Sequence, residues 1–170
     1  MKAFISSQSN QYLNLDARNI ATRVELALNI VDKSAPDSWR VTYENHQVDH
    51  FITHLRRKAL KQTADLYFKI SCANEDLRFA KSCSAHSRQA FDGILFVAGN
   101  HTMREMRAAE TELVKPDLLR LSIIPSDYWT LDPRVKADKG SKIGFRFVIQ
   151  DKRDNVFFSH DPIISVPDWD

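Results

Sequence analysis

The chain has 170 residues, a length that suits one domain whose core needs no disulfide or metal staple. It is 43% hydrophobic and 27% charged, with a formal net charge of +2, which excludes a disordered tail and a strongly basic nucleic-acid binder. Four glycines, Gly93, Gly99, Gly140 and Gly144, form no G-x-G-x-x-G dinucleotide loop, no Walker A loop and no G-x-S-x-G elbow.

Residues 1–14 read as a polar, loosely held leader, and residues 15–170 as a single domain. The leader lacks the apolar stretch of a signal peptide, so the expected address is the cytoplasm. No apolar run reaches the ~18 residues that cross a bilayer, so no membrane partner is expected. Residues 24–31 carry two periods at once. Val24, Leu26, Leu28 and Ile30 share a strand face, while Ile20, Val24, Ala27 and Val31 fit helical spacing. Lys33 to Ser38 is a turn around Pro36, and Trp39 to Tyr43 alternates as a strand. Residues 46–61 read as a helix, with Val48, Ile52 and Leu55 on one face.

Asp65 to Cys72 is the clearest half-buried strand: Leu66, Phe68, Ile70 and Cys72 point one way, Tyr67, Lys69 and Ser71 the other. Asn74-Glu75-Asp76 turns it, and Leu77-Arg78-Phe79 begins a return strand. Ile94 to Val97 is a short buried strand. Residues 102–114 read as a helix with Met103, Met106 and Leu113 near one stripe, stopped by Pro116. Leu119, Leu121 and Ile123 alternate, as do Phe145, Phe147 and Ile149. Asp151 to Asn155 is a hairpin loop, Val156 to His160 the return, and Pro162 a bulge or edge before Ile163 to Val166. About seven short strands without strand–helix alternation predict a mainly β protein: an antiparallel β-sandwich with one or two short helices. Trp39, Phe68, Phe79, Phe96, Phe145 and Phe147 are its expected core aromatics.

Several constellations bear on chemistry. His46, His50 and His54 recur every four residues and would form one stripe on a helix, a polar or metal-binding candidate. The outer pair would stand roughly 12 Å apart, so two at most share an ion and a solvated polar face is the favoured reading. Arg56, Arg57, Lys58 and Lys61, extended by Arg104 and Arg107, form a candidate basic patch. No aromatic is interleaved with it, which disfavours nucleic acid. Ser159, His160 and Asp161 are adjacent, and adjacent strand residues face opposite ways, so they do not read as a catalytic set. Tyr128 and Trp129 are candidates for a pocket or an interface. Cys72 and Cys83 read as packed, reduced thiols. No catalytic residue, cofactor or resident metal is expected.

Three stretches carry a family resemblance. Thr63-Ala64-Asp65-Leu66-Tyr67-Phe68-Lys69 is followed by Asp76 to Phe79 and by Ala90 to Val97. Leu131-Asp132-Pro133-Arg134-Val135 is a second element. Phe145 to Ile149 then leads through a charged hairpin to Phe158-Ser159-His160-Asp161-Pro162-Ile163-Ile164-Ser165-Val166. In this order they resemble the PixA/AidA inclusion-body proteins, over roughly the last two thirds of the chain. His160 stands where that family carries tryptophan, and the first 60 or so residues depart from its pattern. The resemblance implies a compact cytoplasmic β-sandwich of bacterial origin, made under population-density control and accumulating as inclusions in at least one branch. It supplies no active site. The resulting expectation is a non-enzymatic, self-associating protein, a homo-oligomer with a dimer favoured, acting through edge strands and exposed aromatics. The alternative is a small-molecule or carbohydrate-binding sandwich with a pocket at one end, its ligand unknown.

Overall fold

The computed structural model describes residues 3–5, 12–17, 22–54, 63–83, 91–97, 109–123, 141–160 and 163–166. In chain order the strands are β1 (Ala3–Ile5), β2 (Tyr12–Asp16), β3 (Thr22–Ile30), β4 (Trp39–Tyr43), β5 (His46–Gln47), β6 (His50–His54) and β7 (Ala64–Ser71). They continue as β8 (Arg78–Phe79), β9 (Ile94–Val97), β10 (Ala109–Lys115), β11 (Leu118–Ile123), β12 (Ser141–Gln150), β13 (Val156–Phe158) and β14 (Ile163–Val166). Helix among the described residues is one 3-10 turn, Pro36–Ser38.

Period-two burial builds each strand. In β3, Thr22, Val24, Leu26, Leu28 and Ile30 are buried while Arg23 and Glu25 are exposed. Strand pairing therefore decides between the two periods of that segment, and Val31, central to the helical reading, faces solvent. The β7 pattern is the expected one, with Leu66, Phe68 and Ile70 inside.

The strands form two sheets. A six-stranded sheet has the order β10-β11-β7-β3-β4-β5. An eight-stranded sheet runs β1-β2-β6-β14-β12-β13, with β8 and β9 also on β12. Most pairs are antiparallel. Three are parallel, β3 with β7 and β6 with both β2 and β14. Strand alternation carries no direction, so this mixed pairing is invisible to a reading by period alone.

The sheets meet through phenylalanines. Phe68 of the six-stranded sheet stands edge-on to Phe51 and Phe147 of the other, at ring-centroid distances of 5.9 and 4.8 Å. Phe145 packs edge-on to Phe147 at 5.3 Å, and Phe79 closes the group 6.3 Å from Phe147. All five are buried. Each buried ring contributes roughly 1.5–3 kcal/mol by removal from water, with about 0.5–1.5 kcal/mol more per well-set aromatic pair. Gly93 reaches this core as backbone. Its φ of +66° lies in the left-handed region that favours glycine, and a Cβ there would stand 2.9 Å from Leu119 Cδ2 and 3.0 Å from Phe79 Cδ1.

Four expectations are corrected. Of the expected leader, residues 3–5 and 12–14 are strand and not loose: β1 pairs with β2, and Leu13 and the adjoining Leu15 are fully buried, while residues 1–2 and 6–11 lie outside the described residues. The helix expected over 46–61 is replaced, as far as His54, by β5 and β6, with Phe51 and Thr53, two residues apart, both buried on β6. The helix expected over 102–114 is a strand from Ala109, paired with β11 at six positions; Met103 and Met106 lie outside the described residues. Finally, β8 does not fold back on β7 but crosses to β12. Each helical reading treated apolar spacing as local, whereas cross-strand partners decide these segments.

Candidate functional site

The histidine stripe dissolves with its helix. His46 lies on β5 in one sheet, and His50 and His54 lie on β6 in the other. On a strand, His50 and His54 stand roughly 13 Å apart at ~3.3 Å per residue, beyond any shared ion. The His50 ring instead lies 4.5 Å from the Tyr12 ring. No group of three or more metal-ligating side chains converges among the described residues. The basic patch Arg56, Arg57, Lys58 and Lys61 lies outside the described residues, as do Arg104, Arg107, Tyr128 and Trp129.

Ser159 and His160 are placed and separated in role. The pairs Val148↔Phe158 and Gly144↔Ile163 enclose four steps of β12 but five of the return arm, so one extra residue bulges there. Ser159 patches that irregularity. Its Oγ accepts from Phe147 N at 2.7 Å and donates to the His160 carbonyl at 2.7 Å. The hydroxyl is spent on backbone and is no nucleophile for His160. The imidazole Nε2 instead meets the Asp37 carboxylate. Asp161 and Pro162 lie outside the described residues.

Both cysteines are unpaired and half-buried. Cys83 exchanges backbone hydrogen bonds with Phe91, and burial pushes its thiol up from the ordinary value, which makes it a poor nucleophile.

Among the described residues, two concave regions bear on function. The smaller, about 320 Å³, opens at a corner between the sheets. Leu28, Val41, Val48 and Phe147 form its apolar floor, and Asp37 and His160 sit at its rim. Trp39 lines it too, its Nε1–H donated to the Asp32 carbonyl at 2.9 Å.

The larger, about 710 Å³, lies where three chain segments end together: Lys33 after β3, the 72–76 loop after β7, and the Asp151–Asn155 hairpin after β12. Asp151 organises it from a buried position. One carboxylate oxygen accepts from the backbone N–H of Arg153 at 2.9 Å and of Asn155 at 3.0 Å. The other accepts from Asn155 Nδ2 at 3.1 Å and Lys33 Nζ at 3.0 Å. The Asn155 amide, then the Lys33 ammonium and the two backbone donors, hold this carboxyl far below the usual carboxylate range against the opposing effect of burial. Lys33 also donates to Glu75 Oε1 at 2.5 Å, and Glu75 and Asp151 together raise its affinity for its proton. Lys33 thereby ties the end of one sheet to the hairpin of the other. At the rim, Lys152 pairs with Asp76 at 3.3 Å. Half-buried Phe157 lies beneath, its ring centroid 5.3 Å from Lys33 Nζ.

None of this cluster stands out in the linear sequence. Lys33 reads as turn chemistry, Glu75-Asp76 as a solvated acidic pair, and Asp151 to Asn155 as a hairpin. The hairpin reading is right, but positions 33, 75 and 151 have no spacing that joins them. Only the β3–β7 and β12 strand ends bring them together.

No protein-family model matches this chain, and no curated protein is similar to it in sequence.

Proposed function

We propose that this chain is a non-enzymatic, self-associating cytoplasmic protein of the PixA/AidA kind, with a two-fold dimer as its smallest assembly. One observation supports the reading above the others. Among the described residues six large apolar side chains are exposed, and four of them, Phe4, Tyr12, Val156 and Phe158, lie on strands of the eight-stranded sheet. Alternation puts all four on its outer face, since Leu13, Phe157 and their in-register neighbours point inward. Phe4, Phe158 and Tyr12 are 57%, 42% and 37% exposed. Aromatics left in water favour burial against a partner.

Edge pairing is the weaker route. Edge strands β1 and β5 span three and two residues. Edge strand β10 is longer, but it carries exposed Glu110 and Glu112 and a register shift between Leu113 and Lys115, both devices that block strand addition. Face-to-face contact through the aromatic side is therefore the mode this reading favours. No helix among the described residues is long and apolar enough to cross a membrane.

Light scattering across a concentration series tests the proposal. The expected result is a concentration-dependent dimer or larger species whose dissociation constant rises at least about tenfold in a Phe4→Ser/Tyr12→Ser variant that still unfolds in one cooperative transition. A chain that stays monomeric at the highest attainable concentration overturns it.

A further inference from the structure

We infer that the larger cleft, at the hairpin end of the sandwich, binds a neutral polyhydroxylated ligand of the saccharide class. This goes beyond self-association and does not depend on it. The volume, about 710 Å³, falls within the roughly 300–1,000 Å³ of small-molecule sites. Charge then narrows the ligand. The lining holds three cations, Lys33, Lys152 and Arg153, and three carboxylates, Glu75, Asp76 and Asp151. A phosphate entering the cleft meets the carboxylates, and a divalent cation meets the ammonium and guanidinium groups. Neither gains a net field. Apolar lining is confined to Phe157, Ala73 and Cys72, too little to desolvate a lipid tail.

A neutral ligand that both donates and accepts fits what remains. Two of the charged groups are held before any ligand arrives. Asp151 is held by four hydrogen bonds, and Lys33 is held between Asp151 and Glu75. An ammonium has three donors, and Lys33 uses two of them on these carboxylates. Glu75 and Asp76 carry further lone pairs, and Asn74 offers a planar amide with donors and an acceptor on one group. Paired hydroxyls of a sugar ring match such planar groups two at a time. Preorganisation of this kind reduces the ordering cost of binding.

Amide NMR of the full chain tests this, with glucose, galactose, mannose and N-acetylglucosamine titrated separately, and sodium phosphate and calcium chloride as parallel arms. The expected result is saturable shifts of the Asn74 and Asn155 side-chain amides with at least one sugar and none with phosphate or calcium. Asn74→Ala, on an exposed loop, weakens that sugar about fivefold while the melting temperature holds, as for loss of one hydrogen bond. The Phe4→Ser/Tyr12→Ser variant binds the sugar unchanged, which separates this site from the association face. Silence with all four sugars overturns the inference. So does an equal response to phosphate or calcium, or an Asn74→Ala variant that binds as tightly as the parent.

Discussion

The two outer faces of the sandwich are built on the same pleat, yet one row on each is finished in the opposite way. Across the six-stranded sheet one register row reads Glu112, Arg120, Tyr67, Glu25 over β10, β11, β7 and β3. Arg120 pairs with Glu112 at 2.5 Å, and the Arg23 guanidinium lies 3.9 Å above the Tyr67 ring. Across the eight-stranded sheet one row reads Tyr12, His50, Ile163, Gly144, Val97 over β2, β6, β14, β12 and β9. The first row carries three charges that satisfy one another or water. The second carries no carboxylate, ammonium or guanidinium, only the Tyr12 phenol and the His50 ring. Fold and core demand the inward residues alone, so the outward rows are free to differ. Where such a row is left uncharged, stability of the monomer is not the reason.

The largest expected effect comes from what the faces share. Phe68 belongs to one sheet and touches the rings of the other, so Phe68→Ala removes the contact that joins them. A loss of about 3–5 kcal/mol in urea unfolding is expected, with the transition still single. Two separate transitions would mean that the sheets are stable apart, and the comparison would then be between two units rather than two faces.

Gly93→Ala comes next. Its positive φ and the 2.9 Å approach to Leu119 act together, for a loss of about 2–4 kcal/mol. Because Gly93 sits under the Phe79–Leu119 contact and not on an outer face, association measured at a temperature where the variant is folded should match the parent. A change in assembly would tie the aromatic face to core packing.

Much of the fold was legible in the sequence, and the reason is physical. Leu66, Phe68 and Ile70, or Phe145, Phe147 and Ile149, alternate because one strand face is always inward, and that is a local property. The burial of Phe51 was not legible. Its neighbours Val48, Ile52 and Leu55 imitate a helical stripe, and only the parallel partners β2 and β14 reveal the strand. Leu13 and Leu15 were missed for the same cause: a five-residue strand within polar sequence has its signal in its partner. The large cleft was the least legible, because Lys33, Glu75 and Asp151 become neighbours through topology alone. The contact of His160 with Asp37, 123 positions away, has no sequence signal.

Acid sharpens a second contrast, between the cleft end and the charged face. The Asp151 carboxyl lies below its unfolded value, so its contribution is complete above the unfolded range near about pH 4 and is lost as pH falls below it. The urea midpoint of the parent should therefore drop steeply below about pH 4. Asp151→Asn should start lower at neutral pH and show a flatter acid limb, since the titrating group is gone. Lys33 works in the opposite sense: its proton is held more tightly when folded, so its share persists to neutral pH and falls only in strong alkali. An acid limb identical in parent and Asp151→Asn would assign the acid sensitivity to other carboxylates.

The smallest effect belongs to the charged row. Glu112 is more than half exposed and Arg120 about a third, so their ion pair is strongly screened. Glu112→Ala should cost less than about 1 kcal/mol, and the difference should shrink in high salt. The Arg120 Nε is buried without a hydrogen-bond partner, and removal of Glu112 also strips the guanidinium of its carboxylate. A cost well above that bound would mean that Glu112 holds Arg120 in a geometry the sheet needs. More informative is the effect on assembly. If the aromatic face alone carries association, Glu112→Ala leaves the dimer unchanged while Phe4→Ser/Tyr12→Ser weakens it at least about tenfold. If Glu112→Ala instead promotes larger species, β10 is a guarded edge whose charge keeps a second contact closed, and the two faces are then two association surfaces, one open and one held shut.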